Sequence, residues 1–303
     1  MTNYYTYLPV SREDENWGLY VLNAGYNYIP PAAVYPQPAH PPHHYFNWQS
    51  GRILDEYQVI YITRGSGLFE SASCESKRVT AGSVLFLFPG EWHRFKPNAA
   101  SGWEEWWVGF KGPIATQLAA HYFFQPQQPL LEIGVHNTVV QLLQTILDTT
   151  KEEKAGYQPL IAGAVLHLLG NIHTITRQQL FAAEDRVEVI VKHAMALFRT
   201  HIDLPLSAEQ VAEELGVSYA WFRKAFKQYT GIAPGQYMLQ LKMEKAKQLL
   251  SATGIPVKEV AFQLSFESAS HFSKLFKSKT GSSPAQYRDN NPHFLQPSHG
   301  FEQ

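Results

Sequence analysis

The sequence predicts an α+β protein of two domains, an antiparallel β-barrel or sandwich followed by helices, on three observations. Residues 1 to about 112 are dense in proline, glycine and aromatic residues and read as short strands between turns. After Pro113 the apolar residues recur at helical spacing. The last third of the chain contains a segment that is repeated. At 303 residues and 45% hydrophobic, the chain can bury a substantial core, and its length is compatible with two domains.

In chain order, "DEYQVIYITRGSGLFES" predicts a strand through Tyr57, Val59 and Tyr61, a turn at Gly65-Ser66-Gly67, and a new strand from Leu68. In "KRVTAGSVLFLFPGEWHRF", Ala81-Gly82 opens an apolar strand that ends at Pro89-Gly90. Alternation in "GWEEWWVGF" sets Trp103, Glu105 and Trp107 on one face and Glu104, Trp106 and Val108 on the other; a slip of one residue would exchange them. Val139, Leu142, Leu143, Ile146 and Leu147 then mark one helix, and "YQPLIAGAVLHLLGNIH" a second, broken from the first near Gly156. Their apolar faces can cover the barrel or a second subunit. Residues 176–185 are the expected linker.

Charge is nearly balanced, with 25 Lys plus Arg against 26 Asp plus Glu. Its distribution is mildly uneven: residues 184–290 carry 14 basic and 11 acidic side chains, and residues 1–183 carry 11 and 14. A single cysteine, Cys74, excludes an intrachain disulfide or a multi-thiolate zinc site and is expected to be a buried, inert thiol. The N-terminal stretch has no basic-then-apolar leader pattern, and no run approaches 18 uncharged apolar residues, so a cytoplasmic protein without a membrane span is expected.

The repeat is the strongest signal. Residues 212–237 overlay residues 261–287 with one extra residue near the turn of the second copy. Beyond it, Phe222 pairs with Phe272, Lys224 with Lys274, Phe226 with Phe276, Lys227 with Lys277, Gly231 with Gly281 and Pro234 with Pro284. In the first copy Ser207 and Gln210 form a capping box, Leu206, Val211, Ala212 and Leu215 face inward, and Gly216 makes the corner. Ser218 caps the next helix, and Phe222 and Phe226 pack it inward. The outer side then presents Ser218, Tyr219, Ala220, Arg223, Lys224 and Lys227. In the second copy the outer side presents Ser268, Ala269, Ser270, Ser273, Lys274 and Lys277. Arg and Lys donate to guanine edges in the major groove, and a capped helix N-terminus suits a phosphate. Lys242, Lys245 and Lys279 are expected at the edges, on phosphates.

These motifs resemble the AraC/XylS family of transcriptional regulators over about residues 186–288, through "LSAEQVAEELGVSYAWFRKAFKQYTGIAPGQYM", "KMEKAKQLL" and "VKEVAFQLSFESASHFSKLFKSKTGSSPAQYR". The resemblance implies a seven-helix domain with two helix-turn-helix units, whose recognition helices are residues 218–229 and 268–279. Ala220, Arg223 and Lys224, then Ser270, Ser273 and Lys274, would face bases. Ser265 departs from the family, which usually has Gly there; a left-handed Ser costs roughly 1 kcal/mol, so Ser265→Gly is expected to preserve or improve folding.

The first half, with "ITRGSGLF", "VTAGSVLFLFPGEWHRF" and "GWEEWWVGFKG", is similar to the cupin-like barrel of sugar-responsive members. The resulting division is 1–175 for effector binding and dimerisation, 176–185 linker, 186–290 DNA binding and 291–303 tail. Arg52, His93, Phe95, Glu105 and Trp107 are the effector candidates, and Tyr26, Tyr28 and Tyr35 could belong to a covering arm. Expected partners are double-stranded promoter DNA, a small-molecule effector such as a sugar, a second copy of the chain and RNA polymerase, with an activating role and no cofactor. The alternatives are a metal-dependent cupin-type enzyme fused to a DNA-binding domain, or a protein-interaction module. No His-x-His with a spaced Glu supports the enzyme, since His43 and His44 are adjacent.

Overall fold

The computed structural model describes residues 2–35, 48–182, 185–252 and 254–291. Two compact units divide the chain, Met1–Leu180 and Phe181–Gln303. His43 and His44 lie outside the described residues, as does the expected tail beyond Asn291.

The first unit runs β1 (Tyr4–Tyr7), α1 (Arg12–Asn16), β2 (Tyr20–Ile29), β3 (Arg52–Ile53), β4 (Tyr57–Ser71), β5 (Cys74–Thr80) and β6 (Ser83–Leu87). It continues with β7 (Trp92–Pro97), β8 (Trp103–Lys111), α2 (Pro113–Ala120), β9 (Leu130–Glu132), α3 (Asn137–Glu152) and α4 (Tyr157–Ala182). Among the described residues every strand pair is antiparallel, in the order β1-β2-β8-β4-β6-β9, with β5 and β7 on β4 and β3 on β7.

β4 corrects the sequence reading, because no turn interrupts it at Gly65-Ser66-Gly67. Its first half pairs with β6 and β8, its second half with β5 and β7, and a bulge after Ile62 re-aims the strand between the two layers. The glycines serve close backbone approach: a Cβ on Gly65 would sit 2.1 Å from the Gly102 carbonyl, and one on Gly67 2.3 Å from that of Lys96.

β8 separates two cores. Trp103 and Trp107 join Ile60, Ile62, Phe69 and Phe95 inside the barrel. Trp106 and Val108 join Val59 and Tyr61 on the other side, against Leu143 and Ile146 of α3 and Val165 and Leu168 of α4. The two helices therefore bury one apolar face on the sheet. α4 is long and apolar enough over Tyr157–Leu180 to cross a membrane by length and composition, although Ile161, Val165 and Ile172 are fully packed in this core. Residues 176–182, within the expected linker, continue α4, and Gln179 Nε2 donates to the Ile133 carbonyl at 3.2 Å. Cys74 is buried.

Among the described residues the second unit contains only helices: α5 (Asp185–Thr200), α6 (Ala208–Glu214), α7 (Tyr219–Thr230), α8 (Pro234–Ala252), α9 (Val257–Gln263), α10 (Ala269–Thr280) and α11 (Pro284–Asn290). The duplication is a duplication of cores. Phe222, Phe226 and Tyr237 form one ring cluster, with centroids 5.5 and 5.4 Å apart in succession. Phe272, Phe276 and Tyr287 repeat it at 5.6 and 5.4 Å. All four phenylalanines are fully buried, each contributing about 1.5–3 kcal/mol of apolar burial. α8 serves both cores, Tyr237, Met238 and Leu241 in the first, Met243, Ala246 and Leu250 in the second.

Candidate DNA interface and barrel site

Each repeat builds its outer helix from the same local rules. Ser218 Oγ accepts from the Trp221 N–H and Ser268 Oγ from the His271 N–H, so both helices begin on a capping serine and leave other N-terminal N–H groups turned outward. Gly231 and Gly281 end them in the left-handed conformation at φ 86° and 83°. With Phe222, Ala225 and Phe226 inward on α7, the exposed side holds Tyr219, Ala220, Arg223, Lys224 and Lys227 around one open groove of about 440 Å³. α7 and α10 each carry three basic residues and no acidic one.

The second helix is less regular than its sequence suggests. Ser268, Ser270, Lys274 and Lys277 are exposed, but Ala269 is half-buried against the second core. Ser273 is also half-buried, and its hydroxyl donates to the Ala269 carbonyl at 2.7 Å. Lys242 is a correction. It is only 5% exposed, it packs with Nζ 5.5 Å from the Phe266 ring centroid, and burial lowers its pKa. A lysine under the second corner is not an edge contact to phosphate; Lys245 and Lys279 are exposed. Sequence reasoning passed over Trp221 and His271, which occupy matching exposed positions one turn into the two helices. Their alignment in the repeat was the available signal.

Inside the barrel, β3 pairs Arg52 with His93 of β7. Arg52 Nε donates to His93 Nε2 at 3.2 Å, while His93 Nδ1 reaches the Glu91 carbonyl at 3.1 Å, which assigns the ring proton to Nδ1. Burial, reinforced by the Arg52 charge, pushes the His93 pKa down to about 3, so the ring is neutral. The guanidinium lies 5.4 Å from the Phe95 centroid. A cation bonded to Nε2 also opposes a metal ion there, and among the described residues no cluster of three His, Cys, Asp or Glu could hold one.

Glu105 projects into the same interior and is 6% exposed. Asn27 Nδ2 donates to its Oε1 at 3.4 Å, and among the described residues its Oε2 has no hydrogen-bond partner. Burial raises its pKa to about 7, against the opposing pull of Asn27, Arg52 and the nearby Trp103 indole N–H. Trp107 lies across Gly25, its partner on β2, where a Cβ would sit 2.0 Å from the ring. Tyr35 is drawn into this interior, 6.4 Å from Trp103, and its phenol pKa is raised by burial and by Glu105. Tyr26 instead packs on Trp106 at 4.6 Å on the helix side, and Tyr28 is exposed, so neither lines the barrel.

A second buried polar group went unread in the sequence: Asn23 Nδ2 donates to Glu56 Oε1 at 2.7 Å, and Gln58 Nε2 donates to Asn23 Oδ1 at 3.2 Å. A cleft of about 630 Å³ between Pro30, Tyr35, Trp48, Leu68 and Lys96 holds none of the five effector candidates. The orphaned Glu105 oxygen and the Arg52–His93 pair carry more chemical information than that volume.

A barrel enclosing polar groups, together with two capped basic helices on a duplicated frame, defines a ligand-responsive DNA-binding regulator. Comparison with known proteins agrees: residues 31–169 match the AraC-like ligand binding domain and residues 211–290 a helix-turn-helix domain. The chain is 28% identical to the MmsAB operon regulatory protein of Pseudomonas aeruginosa over 237 residues, 77% of this chain and 75% of that protein. It is 23% identical to the transcriptional activator RhaS of Escherichia fergusonii, over 86% of this chain and 92% of that one. Identity to the lactose operon transcription activator of Staphylococcus xylosus is 24%, over 78% and 85% of the two chains. The chain belongs to the AraC/XylS family of transcriptional regulators.

Proposed function

We propose that the protein activates transcription in response to a sugar, binding promoter DNA as a homodimer with α7 and α10 in successive major-groove segments. The observation that carries this reading is the pair of capped, basic, acid-free helices projecting from matching cores. Arg223 and Lys224, with Ala220, read bases in the first segment, and Ser270 and Lys274 in the second. Ser273 acts there through helix packing more than through a free hydroxyl. Ser218, Tyr219 and Lys227, then Ser268, Ala269 and Lys277, flank these contacts.

For the effector, Phe95 and Trp107 offer ring faces to the apolar side of a sugar, and Arg52, His93 and Glu105 offer hydrogen bonds to its hydroxyls. The name of the lactose operon activator supports both sugar response and activation, and that of RhaS supports activation. A second copy fits the outer side of α4, where Leu160 is exposed and Gly163 and Gly170 leave open space. Activation places RNA polymerase among the partners.

Selection of genomic fragments by the full chain, with and without each sugar of a panel, tests the proposal. Enrichment of one sequence that changes with one sugar is the expected result; retention that never exceeds nonspecific binding would sink it. On the enriched site, Arg223→Ala should lose about 1–3 kcal/mol at a single base pair. Equal weakening on every sequence would assign Arg223 to phosphate attraction instead.

A further inference from the structure

The two helix-turn-helix corners close in the same way but are anchored differently. In the first, the Gly216 N–H donates to the Glu213 carbonyl and the Val217 N–H to that of Ala212. In the second, the Ser265 N–H donates to the Phe262 carbonyl and the Phe266 N–H to that of Ala261. Both are the paired closure of a helix that ends on a left-handed residue, Gly216 at φ 66° and Ser265 at φ 54°. Beside Gly216 there is open space where a side chain would begin.

Ser265 has a side chain, and it is used. Its hydroxyl donates to the carbonyl of Asp203, 62 residues earlier, in the turn that leads from α5 into α6 of the first repeat. The neighbouring Phe266 is held under Lys242 of α8. Three residues after Ser265, the cap Ser268 starts α10; four residues after Asp203, the cap Ser207 starts α6, which turns at Gly216 into α7. One polar contact therefore joins the corner of the second repeat's helical pair to the entry of the first repeat's pair, in addition to the covalent bridge of α8.

We infer that Ser265 is a specificity-determining residue: its hydroxyl, bonded to the first repeat, holds α10 at a set separation from α7 and so sets the spacing of base pairs the protein accepts between the two segments it reads. This rests on the DNA-binding reading above. Inserting one base pair moves the second segment about 3.4 Å along the duplex and rotates it by about 35°. A pair of repeats joined by α8 alone bends to follow that displacement, whereas a pair tied at the second corner resists it.

The test uses the full chain, the enriched site, and versions of that site with one base pair inserted or removed between the two segments. Ser265→Gly suits the left-handed corner, so it folds, and Ser265→Ala keeps the strain but removes the hydroxyl. Both variants should hold the original site with affinity within about threefold of the parent, and both should lose about three- to tenfold of the discrimination against altered spacing, the equivalent of one neutral hydrogen bond. A merely structural role for Ser265 would lower affinity for every site in Ser265→Ala and leave the spacing preference intact in Ser265→Gly. Unchanged discrimination in both variants overturns the inference alone. Absence of selective binding by the parent chain overturns it together with the DNA-binding reading.

Discussion

Replacing Glu105 by Gln should flatten the pH dependence of the barrel's stability between about pH 5 and 8. The folded carboxyl has its pKa raised from the ordinary 4.5 to about 7, chiefly by burial. Within that window the folded chain keeps a proton that the unfolded chain has released. This group's contribution is therefore fully favourable below 4.5 and is lost as pH rises through 7. A displacement of this size corresponds to about 3 kcal/mol. Gln keeps an acceptor for Asn27 and cannot ionise, so parent and variant should be similar at pH 5. At pH 8 the variant should be more stable by up to about 3 kcal/mol. Urea unfolding followed by tryptophan fluorescence reads the barrel selectively, because six of the seven tryptophans precede residue 108. The difference between the two proteins removes every other titrating group that they share. If that difference is constant from pH 5 to pH 8, Glu105 is ionised and solvated in the folded state, and the account of the barrel interior is wrong.

Two further substitutions test separate parts of the structure. Lys242→Met should raise the stability of the helical unit by about 1 kcal/mol, since it removes a buried ammonium that has no carboxylate among its described contacts. The salt dependence of DNA binding should stay unchanged, and a slope lower by about 0.9 would return Lys242 to the phosphate contacts. Gly25→Ala should push the Trp107 ring off β2, because the new methyl would lie 2.0 Å from it. The expected cost is about 1–3 kcal/mol with a shift in tryptophan emission. Unaltered stability and emission would show that Trp107 does not rest on Gly25.

Much of the fold was legible because it is written in short-range spacing. The capping box of Ser207 and Gln210 forms in both directions, with the Ser207 N–H donating to Gln210 Oε1 at 2.7 Å. The left-handed corner falls on Ser265. The face of β8 that carries Trp103 and Trp107 turns into the barrel, as alternation implies. Gly65 and Gly67 were misread because a glycine that opens a turn and one that admits a neighbouring backbone look alike until the neighbours, Gly102 and Lys96, are in place. The candidate site was legible only in part. Arg52 and His93 fall together, but Asn27, Tyr35 and the Asn23–Glu56–Gln58 group reach the interior from segments far apart in sequence.

By itself the sequence determined the class of each half, the duplicated helical unit, and the inward phenylalanines that leave Arg223, Lys224 and Lys274 in solvent. Periodicity, caps and corner residues act over a few positions, and burial of an apolar stripe follows from them. Tertiary structure alone decided that Lys242 is covered, that Glu105 is buried with an oxygen that no described residue bonds, and that Ser265 reaches across to Asp203. The physical reason is that a buried polar atom takes its character from whatever packs against it, and those neighbours lie tens of residues away in the chain.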